Sequence, residues 1–135
     1  MQFSDHSMDI SLNQETVNDT AKLMMHRLVS REIIRDPSVV ENAKASHAQT
    51  ARRYAGRTFV REWDDLLKLP LIKLRAKLVS RDAEMVRLRL SSPFLVGAGI
   101  DFTDYHFRLR IRRAAKRVAQ RALVCRSRLT ASSAQ

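Results

Sequence analysis

Six residues punctuate this chain. Proline stands only at positions 37, 70 and 93, and glycine only at 56, 97 and 99, so the stretches between them hold almost nothing that enters a positive-φ turn or breaks a helix. Sheets built from hairpins need such turns at short intervals. Long helices do not. The intervening residues are rich in Ala, Leu, Arg, Lys, Gln and Glu, which lose least on entering a helix. The expected fold is all-α: a compact bundle of about five to six helices with a long basic C-terminal helix and a flexible acidic N-terminal arm. At 135 residues a single domain is expected, and a chain of this size buries roughly two thirds of its unfolded surface.

Periodicity places the elements. Residues 1–12 are polar and acidic without a sustained period and read as the flexible arm, with 13–129 as one helical domain and 130–135 as a disordered tail. Behind Asn13, a good N-cap, Val17, Ala21, Met24, Met25, Leu28 and Ile33 or Ile34 recur at helical spacing to Arg35. Pro37 disfavours helical geometry in Asp36 and ends that helix. With Asp36 as cap it then opens a second helix running to Gly56, with Val40, Ala43, His47, Ala51 and Tyr54 along one side. Thr58 is the candidate cap of a third, in which Phe59, Val60, Trp63, Leu66 and Leu67 form a dense stripe anchored by Trp63. Pro70, then Ser80 or Asp82, restart the chain into two short helices. Residues 91–100 read as a loop with an exposed apolar pair, Phe94 and Leu95. Thr103 caps the last helix, with Asp104 in its first turn against the dipole.

That last helix raises the functional question. The net charge is +11, yet the basic side chains of residues 1–104 are nearly balanced by acids, and no carboxylate follows Asp104. On a helical wheel, Phe107, Ile111, Ala114, Ala115, Val118, Ala122, Cys125 and Leu129 share one arc, expected to dock on the body. Arg108, Arg110, Arg112, Arg113, Lys116, Arg117, Arg121, Arg126 and Arg128 fill the opposite arc. Like pairs four residues apart, such as Arg108 with Arg112 and Arg113 with Arg117, each cost a helix a few tenths of a kcal/mol. A face that served only to be wet would mix signs. Arginine's planar fork also grips phosphate oxygens bidentately. These nine side chains are therefore the expected nucleic-acid-binding residues, through phosphate contacts to DNA or RNA. An acidic protein partner is the alternative. Membrane binding is disfavoured, because three of the eight residues on the apolar arc are alanine, where interfacial helices carry Trp, Phe or Leu.

Chemistry is harder to find. His6, His26, His47 and His106 share no metal-ligand spacing, and Asp64 and Asp65 diverge by about 100° on a helix. There is no glycine-rich phosphate loop and no nucleophile elbow. Cys125, the one cysteine, lies on the apolar arc and reads as packed. No enzyme activity, cofactor or metal is expected, and a lone cysteine with no long apolar run suits a soluble cytoplasmic protein. Residues 70–90 offer two readings, a helix-turn-helix aligned on Ala76 or a plain hairpin packing Leu74, Leu78, Met85 and Leu88; the hairpin is preferred, because Arg75 falls where the DNA-binding motif needs an apolar residue.

One span is familiar. Residues 35–94, with `VREWDDLLKL` and `LRLSSPF`, resemble small helical bacterial proteins that pair a tryptophan helix with a Leu-Arg-x-x-Ser-Pro-Phe element. The resemblance implies an association with mobile-element or toxin–antitoxin genes and carries no activity with it. The basic last helix lies outside this span.

The arm offers that helix an internal partner. Asp5, Asp9, Glu15 and Asp19 stand in the first 20 residues without a Lys or Arg among them, so the arm is charge-complementary to the arginine face. Deleting residues 1–12 is expected to tighten polyanion binding at low salt, measured by anisotropy titration. An unchanged affinity would remove the arm from the account.

Overall fold

The computed structural model describes residues 13–96 and 99–133; the predicted arm, residues 1–12, lies outside the described residues. Among these the chain forms six α-helices and no strand: α1 Gln14–Arg35, α2 Ser38–Arg53, α3 Thr58–Leu67, α4 Leu71–Leu78, α5 Ala83–Leu88 and α6 Tyr105–Ser133. Two 3-10 turns, Arg89–Ser91 and Pro93–Leu95, follow α5. The all-α expectation holds.

Local chemistry sets most of the boundaries. Asn13 Oδ1 accepts from the Glu15 amide at 2.8 Å and Asp82 Oδ1 from the Met85 amide at 2.8 Å, each satisfying an amide that the first helical turn leaves open. Asp36 Oδ1 accepts from both the amide and the hydroxyl of Ser38, so α2 begins one residue later than expected. Gly56 turns the chain after α2 with φ 85, a value that strains any residue with a Cβ. Thr58 is the first residue of α3 rather than its cap. Thr103 does not cap α6 either: its amide and hydroxyl both donate to Asp101, and Asp104 Oδ2 accepts from the Phe107 amide instead. At the other end α6 continues through residues 130–133, which were expected in a disordered tail. No proline or glycine follows Gly99 to stop it.

Helix α1 is the hub, packing against α2, α4, α6 and both 3-10 turns. Covered on several sides, it buries Leu23, His26, Val29 and Ser30 as well as the predicted Val17, Ala21 and Ile33, while Met24, Met25 and Leu28 are partly buried at the margin. Trp63 of α3 is fully buried, as its spacing implied. Its indole N–H is shared between the Leu88 carbonyl and the Ser91 hydroxyl, each at 3.2 Å. The Phe94 ring leans on it at 6.1 Å between centroids and 55°. Phe94 was expected to be exposed and is fully buried: Ser92 Oγ accepts from the Phe94 amide, and this capped turn around Pro93 swings the ring under α3. Leu95 is half-buried. Leu74, Leu78, Met85 and Leu88 all enter the same core, as the hairpin reading requires. Ala76, the small residue of the helix-turn-helix alignment, is exposed.

Two ionisable groups are buried behind this core. Arg89 is 1% exposed and donates to the carbonyls of Leu78 and Ser80 at 3.1 and 2.7 Å, closing the C-terminal end of α4. Burial lowers its pKa, against the opposing pull of Asp82 and Asp19. His26 is 0% exposed. Its Nδ1 faces the Lys22 carbonyl at 2.6 Å and must donate there, so Nε2 accepts from Ser92 Oγ at 2.7 Å. Desolvation, helped by the charges of Arg89 and Lys22, outweighs the Lys22 carbonyl and lowers its pKa from 6.5 to about 4.

Between those two values the unfolded chain holds one more proton at His26 than the folded chain, so stability falls as pH falls through that window and is complete above it. Urea titrations of wild type from pH 7 to pH 4 should lose roughly 3 kcal/mol on this account, and His26→Gln should flatten that slope.

Candidate nucleic-acid interface

Helix α6 is mounted on α1 through small side chains. Ile111, Ala115 and Ala119, successive at four-residue spacing, are buried, with Phe107 and Ala114 partly so. Alanine at the contact lets two helices approach closely, and the α1–α6 packing is the most extensive between helices in the fold. The predicted docking arc is correct only in its first half. Val118, Ala122, Cys125 and Leu129 are exposed, while Ala119, outside that arc, is buried. Periodicity identifies a shared face but cannot say how far a neighbour covers it. From Gln120 to Leu129 only Leu123 is even half-buried, so the distal half of α6 is mostly exposed, with Ala122 and Arg126 bordering a groove against α1.

The cations follow from this mounting. Arg108, Arg110, Arg113, Lys116, Arg117, Arg121 and Arg128 are exposed. Arg110 lies over the Phe107 ring at 5.6 Å, a cation–π contact that holds it near the helix. Arg112 departs from the expected face: it is half-buried and donates to Asn18 Oδ1 at 3.0 Å, across the α1–α6 junction. Arg126 is exposed but already engaged in an interaction. The ion pairs between described residues, Arg35–Glu32, Lys44–Glu41 and Arg87–Glu62, and the His47–Asp64 contact involve no side chain of α6.

Two grooves flank α6, and both contain cations that the sequence left unconnected to it. One brings Lys22 of α1 beside Arg108 and Arg112. The other brings Arg27 of α1 and Arg81 of the α4–α5 loop beside Arg126, with Asp19 among them. For Lys22 and Arg27 the only sequence signal is their position on the α1 wheel, which says nothing until α6 is placed, and Arg81, in a loop, has none. His47 gained a partner in the same way: its Nε2 meets Asp64 Oδ1 at 2.7 Å across α2 and α3, whereas the sequence showed Asp64 only beside Asp65.

No cluster of three or more metal-ligating side chains occurs among the described residues, and none of their helices is long and apolar enough to cross a membrane. No family model matches the chain, and neither a curated protein nor a solved structure does.

Ala115 is 0% exposed, so the seat of α6 has no room for a larger side chain. Ala115→Leu is expected to destabilise the fold by about 1–3 kcal/mol through overpacking, read as a lower urea midpoint. Leu at Lys116, one position away and exposed, should leave the midpoint within about 0.5 kcal/mol of wild type.

Proposed function

We propose that the chain binds nucleic acid without catalysis, mainly through phosphate contacts from α6, as a small regulator or accessory factor. One observation carries this reading. Six exposed cations, Arg110, Arg113, Lys116, Arg117, Arg121 and Arg128, point away from the Ile111–Ala115–Ala119 seat on a helix that bears no acid, and a seventh, Arg108, is exposed where the helix borders α1. Such a helix tolerates like-charge repulsion along its length, and a row of phosphates removes that repulsion while releasing condensed counterions.

A protein partner with an acidic surface, as for an antitoxin-like neutraliser or adaptor, is the second reading. What favours it is the stretch of α6 from Val118 to Val124, where both valines are about 40% exposed among the arginines. A phosphate backbone makes no use of aliphatic side chains. A protein would cover them.

The two readings separate by salt. If about five cations meet phosphates, the affinity for duplex should fall against salt with a log–log slope near −4 to −5. Replacing Arg113, Lys116, Arg117 and Arg121 by Ala should flatten the slope and leave the circular dichroism spectrum intact, since all four are exposed. A wild-type slope near zero, or a four-Ala variant that binds as wild type does, would reject the phosphate reading.

A further inference from the structure

The groove between α1 and the first two turns of α6 has a different chemistry from the outer arginine face. Its volume is about 350 Å³, within the range of small-ligand sites. Ala21, Met25 and Leu109 supply apolar lining, and Leu90 and Tyr105 stand at it 64% and 65% exposed. Two large apolar side chains left that open beside one groove form an unsatisfied surface. The polar part of the lining is cationic: Lys22, Arg108 and Arg112, with Asn18 fixing Arg112 in place and no carboxylate among the described residues that line it. The companion groove, by contrast, contains Asp19.

We infer that this groove takes an unstacked nucleobase, so that the preferred ligand of the protein is single-stranded nucleic acid. The inference rests on the phosphate-binding reading of α6 and adds the strand state of the ligand. A base has a planar π face for the Tyr105 ring and an apolar body for Met25, Leu90 and Leu109. The phosphates on either side of it meet Arg108 and Arg112, which stand one helical turn apart, and Lys22 on the facing helix. A duplex keeps its bases stacked within itself and reaches only the outer cations. Stacking on an aromatic side chain tolerates any base, so the groove selects for strand state rather than for sequence. A simple aliphatic anion would fill the same lining without needing a ring, and the test below turns on that difference.

The test compares a labelled single strand of about 12 nucleotides, within the usual range of site sizes, with a duplex of the same length, by fluorescence anisotropy. The proteins are wild type, Tyr105→Phe, Tyr105→Leu, and the triple variant Arg113→Ala, Lys116→Ala, Arg117→Ala. Tyr105 is exposed, so neither replacement disturbs the core. Wild type and Tyr105→Phe should bind the single strand at least several-fold tighter than the duplex. Tyr105→Leu, which keeps the bulk and loses the π face, should weaken single-strand binding about tenfold and leave duplex binding unchanged. Full single-strand affinity in Tyr105→Leu overturns the inference. If the triple variant then loses affinity for both probes, the phosphate reading stands without it. A wild-type protein that binds neither probe overturns both.

Discussion

The indole of Trp63 has to be dry and hydrogen-bonded at once, and the way it meets both demands organises the rest of the molecule. A buried N–H without an acceptor is a penalty of about 1–3 kcal/mol. Here the acceptors are the Leu88 carbonyl at the end of α5, which also accepts from the Ser91 hydroxyl, and that same hydroxyl oxygen. That requirement fixes α3 against the segment from Leu88 to Phe94. Phe94 completes the seat from the other side, Arg89 reaches back to the end of α4, and Ser92 reaches across to His26 in α1. Seven consecutive residues thus join four helices. The residues of the Leu-Arg-x-x-Ser-Pro-Phe element do structural work: Leu88, Pro93 and Phe94 are buried, Arg89 closes a helix end, and Ser92 bonds both His26 and the Phe94 amide.

Burying Arg89 and His26 in one region brings a cost that the fold manages differently in each case. Arg89 keeps its charge and spends one guanidinium nitrogen on two carbonyls. Its Nε has no hydrogen-bond partner among the described residues, so they hold the site by geometry rather than by full satisfaction. His26 gives up its charge, since its hydrogen-bond partners suit the neutral ring and a second positive group lies nearby. The result is a core that is firm near neutral pH and weakens in acid.

The scaffold and the proposed interface are separable. Helix α6 contributes Ile111, Ala115 and Ala119 to the body and turns its cations outward, so charges that would destabilise an isolated helix are carried on one held by packing. A rigid rod spaces its arginines at fixed intervals, which favours a regular polyanion over a scattered one. Where the rod passes close to α1, cations from both helices border an apolar groove. Beyond it, the rod is mostly exposed.

Much of this was legible in the residues themselves. The proline and glycine positions, the cap Asn13, the helix start at Ser80 or Asp82, the anchor Trp63, the hairpin core of Leu74, Leu78, Met85 and Leu88, and the cationic side of α6 all depend on interactions within a few residues, which spacing reports directly. What could not be read has one cause in common. The burial of Phe94, Arg89 and His26, the His47–Asp64 contact, the capture of Arg112 by Asn18 and the docking of only half of α6 each depend on a second segment distant in the chain. Side-chain periodicity records which residues share a face; only the tertiary arrangement decides whether another surface lies against it, because burial is a property of the pair and not of the helix.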